Sequence, residues 1–252
     1  MKRFIVAILV VSIVLSGVLL AGTAVAAGKT IIATGELVKG TTTYPAAVLT
    51  YDQAMDDSDT GSNPGIELWS DGTLTKRLMR SNDNNGQWDY DIAGAYFANG
   101  EAVVYGTRTG SHGPQGRVWK SGSGSFLLQS SAVVYCTPME DPTGVFEYGP
   151  FTIVKGTTTY TGAYVQYDKN VDDSGTGSCP GLRVFSAADQ SLWRANDNNG
   201  QWKYRVDCVY AFDGVISIVG ARSANGGQTW SPRIWRTLPN GNSFLTQFAG
   251  LN

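Results

Sequence analysis

The chain has 252 residues, with 19 basic, 21 acidic and a single histidine. A formal charge of −2 gives no electrostatic grip on nucleic acid, and one histidine cannot build a histidine-based zinc site. Neither a G-x-S-x-G elbow nor a phosphate-cradling glycine loop is present, so serine-hydrolase and nucleotide chemistry have no motif to stand on.

Residues 1–26 open with Lys2 and Arg3, run apolar from Phe4 to Leu20 and end in Ala24-Val25-Ala26. That is the order of a secretory signal peptide, so an extracellular location is expected; if retained, the run would be a membrane anchor. Its removal takes two basic residues and no acidic one, leaving a net charge of −4.

From residue 27 onward no stretch keeps a helical period. Short β-branched and aromatic runs bounded by Gly, Asn, Asp and Ser predict strands near 31–38, 45–52, 66–70, 75–80, 88–97, 101–108, 116–120 and 125–130. The chain then repeats itself. LVKGTTTY at 37–44 returns as IVKGTTTY at 153–160, YDQAMDDSDTGSNPG at 51–65 as YDKNVDDSGTGSCPG at 167–181, and NDNNGQW at 82–88 unchanged at 196–202. RVWKS at 117–121 answers RIWRT at 233–237, and SFL occurs at 125–127 and 243–245. A duplication follows, with units 27–145 and 146–252 of about eight strands each, too long to be single solenoid repeats.

Within each unit an aromatic-centred strand recurs at Trp69, Trp119, Phe185 and Trp235, at intervals of about 50 residues inside a unit. Four strands per such interval is the size of a propeller blade. The expected fold is therefore all-β, a β-propeller of about four four-stranded blades built from two homologous halves. Two tandem β-sandwiches are the alternative. Four blades make a small ring, which either closes tightly or is completed by a second chain as a homodimer.

The stretch S223-A-N-G-G-Q-T-W230 resembles the Asp-box of the bacterial neuraminidase repeat, with Asn225 in the place of the Asp. Residues 81–88 and 195–202 are looser variants with an extra residue and no Thr. The resemblance covers these boxes and the blade rhythm, about a quarter of the chain, and extends to sialidase-type and lectin-type propellers. It implies hairpin turns in which the polar side chain ties the loop and the Trp packs between sheets. Residue chemistry agrees: Asn and Asp side chains bond nearby backbone amides, and Gly accepts positive φ.

Three readings of the duplicated boxes compete. In the first they are folding turns. In the second they bind sugar, with Asp83, Asn84, Gln87 and Trp88, and their copies Asp197, Asn198, Gln201 and Trp202, offering amides, a carboxylate and an aromatic platform beside Arg80 and Arg194. Two like sites would add avidity on a repeating glycan or cell-surface polymer. In the third, the duplicated acids Asp52 and Asp168, Asp57 and Asp173, or Asp83 and Asp197 form a glycoside hydrolase or lyase site. A sialidase also needs an arginine cluster, but Arg80, Arg108, Arg194 and Arg222 recur by duplication, as do Tyr90 and Tyr204, which suits packing better than a single active centre.

The acidic loop with Asp56, Asp57 and Asp59, and its copy with Asp172 and Asp173, is a candidate Ca2+ loop. It lacks the closing Glu of an EF-hand, and a solvated loop is the competing reading. His112, in TGSHGPQG, reads as a loop residue. Cys179 and Cys208 replace Asn63 and Gly94 of the first half, which suggests a Cys179–Cys208 disulfide with Cys136 left over; two buried thiols are the alternative. The functional expectation is a secreted, non-catalytic, lectin-like module, with an enzyme and a purely structural β-repeat protein as rivals.

Overall fold

A computed structural model describes residues 28–56, 65–82, 88–111, 113–136, 139–140, 144–170, 181–196, 202–224, 226–239 and 242–249. The leader lies outside them. Among the described residues no helix is long and apolar enough to cross a membrane.

The fold is all-β, as expected, with four antiparallel sheets. Sheet I is the meander β1 (Thr30–Lys39), β2 (Thr42–Tyr51), β3 (Ile66–Trp69) and β4 (Arg77–Arg80), with the one-turn helix α1 (Gln53–Asp56) after β2. Sheet II is β5 (Asp89–Ala98), β6 (Glu101–Gly110), β7 (Gly113–Lys120) and β8 (Leu128–Ser131). A short strand β9 (Val133–Tyr135) leads into the second half. Sheet III runs β10 (Met139–Glu140), β11 (Val145–Lys155), β12 (Thr158–Asp168), β13 (Leu182–Phe185) and β14 (Ser191–Arg194). Sheet IV runs β18 (Thr246–Ala249), β17 (Ser231–Arg236), β16 (Val215–Ser223) and β15 (Lys203–Phe212), with β9 on its far edge.

The aromatic rhythm falls where a four-strand meander puts it: Trp69, Trp119, Phe185 and Trp235 sit on β3, β7, β13 and β17, the third strand of the meanders β1–β4, β5–β8, β11–β14 and β15–β18. Trp119 and Trp235 are fully buried, and so is Trp193. Each such indole removes roughly 150–250 Å² from water, about 4–6 kcal/mol at ~25 cal/mol/Å².

Three buried clusters order the sheets. Leu37, Leu49, Leu68, Phe97, Val104 and Trp119 join sheet I to sheet II. Their counterparts, including Ile153, Val165, Val184, Val209, Ile218 and Trp235, join sheet III to sheet IV. A third cluster, with Tyr96, Tyr105, Val118, Tyr210 and Ile234, joins sheet II to sheet IV. The inner sheets are thus buried on both faces, and β6 accordingly reads as a continuous apolar run, Ala102 to Tyr105, where Ala102 and Val104 face one cluster and Val103 and Tyr105 the other. A ring of four blades would also need sheet I to meet sheet III; among the described residues no buried cluster does so.

The duplication is visible in the backbone. Hairpins at Asn99-Gly100 and Asp213-Gly214 both turn through two residues of positive φ, and the carbonyls of Gly100 and Gly214 accept from the amides of Val38 and Val154 at 2.8 and 2.9 Å. Tyr96 and Tyr210, 114 residues apart, hydrogen-bond through their hydroxyls at the contact between halves.

The expected Cys179–Cys208 bridge is replaced by Cys136–Cys208. The physical reason is register: β9 pairs antiparallel with β15, Tyr135 opposite Val209, which sets Cys136 directly across from Cys208. Cys179 lies outside the described residues.

Candidate functional site

The duplicated boxes come first. Trp88 and Trp202 are half-buried against the cores of their own halves, and each carries a guanidinium on its ring, Arg108 and Arg222 respectively, both 3.7 Å from the centroid. An indole with its inner side on the core and an arginine stacked on its face is a packed element more than an open sugar platform. Tyr90 and Tyr204 lie deeper, edge-on to Trp119 and Trp235 at 5.1 and 5.6 Å.

Arg80 and Arg194 serve a second duplicated joint. The Arg80 amide donates to the Ser125 carbonyl at 3.1 Å and the Arg80 carbonyl accepts from Leu127 at 2.8 Å; Arg194 does the same with Ser243 and Leu245 at 3.0 and 2.9 Å. Their guanidinium groups lie 5.0 Å over Phe126 and Phe244. The repeated SFL is therefore a clip that fastens the outer sheet of each half to the β7–β8 or β17–β18 connection of its inner sheet. Of the residues expected to meet ligand, Asp83, Asn84, Gln87, Asp197, Asn198 and Gln201 lie outside the described residues.

The acids divide likewise. Asp52, 4 % exposed, accepts the Met55 amide at 3.2 Å and so caps α1, while Asp168 accepts the Asn170 amide at 3.0 Å in the matching turn. Asp56 ends α1; Asp57, Asp59, Asp172 and Asp173 lie outside the described residues, as does His112. Among the described residues no group of three His, Cys, Asp or Glu side chains converges as a metal site would require.

Clefts open on the surface among the described residues. One, about 640 Å³, lies where β9 crosses between halves and is lined by Val133, Pro150, Phe151 and Val154, with Asp213 the one charged residue of its described lining. A second, about 330 Å³, lies between sheets II and IV, where Glu101 pairs with both Lys120 (2.6 Å) and Arg236 (3.1 Å). Three of its charges are thus engaged with one another.

A third cleft, about 410 Å³, lies in the second half and combines aromatic and polar groups. Phe146 on β11 and Tyr167 on β12 are register partners whose rings stack 5.8 Å apart. Opposite them, β15 contributes Lys203 and Arg205, and Lys169 follows β12. Tyr148 forms the floor, its phenol pushed up to about 12 by burial and by the nearby Asp207 carboxylate. The rim is the S223–W230 loop. There Ser223 Oγ accepts the Gly227 amide at 2.9 Å, Gly226 and Gly227 adopt φ of +71° and +94°, and Trp230 stands 36 % exposed with Arg205 5.6 Å over its ring.

The box at 223–230 joins β16 to β17, with Ser223 tying the backbone; Asn225 lies outside the described residues. Its tryptophan does not pack between sheets. The first half makes the equivalent turn with two fewer residues: Arg108 pairs with Gln115, and Arg222 with Ser231. The longer loop carries Trp230 out to the groove, at the position of Pro114.

Sequence reasoning missed this groove. Its signal is divergence where the halves otherwise match: Thr30, Gln53, Asp89 and Asp91 stand at the positions of Phe146, Lys169, Lys203 and Arg205. Two acids became two bases in the strand that directly follows the invariant heptapeptide. Compared with family models, with curated proteins and with solved structures, the chain matches none.

Proposed function

We propose that the chain is a secreted, non-catalytic binding module whose ligand is a carbohydrate, and that the second-half groove is where it is held. The observation that carries this reading is the groove itself. Ligand sites are concave, of roughly 300–1,000 Å³, mostly apolar, with a few convergent polar groups, and here stacked aromatic rings face lysine and arginine across about 410 Å³. Aromatic faces take the C–H side of a sugar and the cationic rim takes its oxygens. Among the described residues the lining contains no carboxylate, which suits binding. The duplicated NDNNGQW loops would flank it or bind independently, and their tryptophans hold the fold.

On architecture, we infer two tandem two-sheet sandwiches joined back to back in the order I, II, IV, III. The pairing of Tyr96 with its own counterpart Tyr210 supports this over sequential blades, which would place sheet II beside sheet III.

A glycan array with the purified chain tests the function. Binding that falls at least tenfold in Trp230→Ala, with an unchanged melting temperature because that ring is exposed, supports the reading. A chain that binds no glycan, or binds equally well without Trp230, contradicts it.

A further inference from the structure

Resting on that reading, we infer that the second-half groove is selective for an acidic oligosaccharide bearing carboxylate or sulfate groups, and that the chain holds one such ligand, not two. The argument is charge complementarity on a background of the opposite sign. The chain is net acidic, yet Lys169, Lys203 and Arg205 converge on the groove. Among the described residues, the carboxylates nearby do not reverse that sign. Asp207 takes the Nε and Nη2 protons of Arg205 at 2.8 and 3.1 Å. Asp168 accepts the Asn170 amide in its own turn, and Glu147 accepts from Gln166 at 3.2 Å on the other face of its strand. Cations around an aromatic wall suit a ring with an anionic substituent, since the ring stacks while the substituent meets ammonium and guanidinium groups.

The stoichiometry follows from the other half. There Asp89 and Asp91 occupy the places of Lys203 and Arg205, Gln53 that of Lys169, and Thr30 that of Phe146. An anion would meet repulsion and no stacked pair, so the duplicated frame supplies one acidic-sugar site per chain.

The test is isothermal titration of the full chain with a uronic-acid hexasaccharide, its carboxyl-reduced neutral counterpart and a sulfated hexasaccharide. A poly-glutamate peptide serves as a control for charge alone. The inference predicts 1:1 binding of at least one acidic sugar, at least tenfold tighter than the neutral form and weakening several-fold between 50 and 300 mM salt, conditions chosen to vary screening. The variants K203D and R205D, which install first-half residues at a half-buried and an exposed position of β15, should lose at least tenfold while keeping the wild-type melting temperature. Equal or preferential binding of the neutral sugar overturns the acidic selectivity and leaves the carbohydrate reading standing. Two sites per chain, or poly-glutamate binding as tightly as the sugars, also overturns the inference. No binding of any sugar here or on the array overturns both.

Discussion

At the residue scale, the invariant heptapeptide ends in a tryptophan whose two copies are held alike, each under an arginine from the neighbouring strand at 3.7 Å. A stacked, partly desolvated cation–π pair contributes about 0.5–2 kcal/mol, and truncating a half-buried indole costs more because its core contacts go as well. Arg108→Ala should therefore lower stability by about 1 kcal/mol and Trp88→Ala by about 2–3 kcal/mol, and Arg222→Ala and Trp202→Ala should match their counterparts. Urea denaturation measures all four. A neutral Trp88→Ala would return that ring to the solvent side and reopen it as a sugar platform. The heptapeptide announced a turn because amides, glycine and tryptophan have local meanings. Arg108 and Arg222 could not be assigned to it from sequence, because the contact comes from a strand some twenty residues away.

At the element scale, the strands of the first half were legible almost to their ends. Strands are rich in β-branched and aromatic residues, glycine marks the hairpin turns at Gly40 and Gly100, and the third strand of each meander carries its aromatic. The exception is β9. Three residues, Val133 to Tyr135, carry no period, and their partner β15 lies more than seventy residues on, so neither the strand nor the crossing between halves had a local signal. The disulfide misreading has the same origin: with β9 unseen, nothing set Cys136 opposite Cys208. The bridge closes a loop with a sequence separation of 72 and clamps β9 to sheet IV. Loop-closure entropy over that length is worth about 4 kcal/mol in the chain-entropy picture, with 2–4 kcal/mol typical. Cys136→Ser should accordingly lose roughly 2–4 kcal/mol in a denaturant titration, and the reduced wild type should lose the same. Full stability in the variant would show that pairing alone holds the strand.

At the scale of the whole molecule, a duplicated frame has been used unequally. The two halves meet through tyrosines: Tyr210 stacks on Tyr105 at 5.3 Å and is buried, and Arg236 donates to Tyr96 Oη at 2.9 Å. Burial pushes the Tyr105 and Tyr210 phenols above the ordinary range, and pushes Tyr148 up to about 12. A raised folded-state pKa means that the neutral form is the one the fold keeps. This contribution is complete below about pH 10, where unfolded tyrosine begins to ionise, and is lost as pH rises through the folded values. Stability should fall steadily above pH 10, and the tyrosinate absorbance of the buried phenols should appear only with unfolding. Smooth titration of all tyrosines near pH 10 in a folded chain would contradict the buried contact.

That contact keeps the halves in fixed relation, and divergence could then act on one of them: Thr30, Asp89, Asp91 and Pro114 on one side, Phe146, Lys203, Arg205 and Trp230 on the other. The most direct measurement of this asymmetry is a backbone amide NMR titration of the intact chain with an acidic hexasaccharide. Shifts confined to the neighbourhoods of residues 146–148, 167–169, 203–206 and 226–230, with 30–32, 51–53, 89–92 and 112–115 unmoved, are what the structure predicts. Equal shifts at both sets, or shifts only around Trp88 and Trp202, would contradict it.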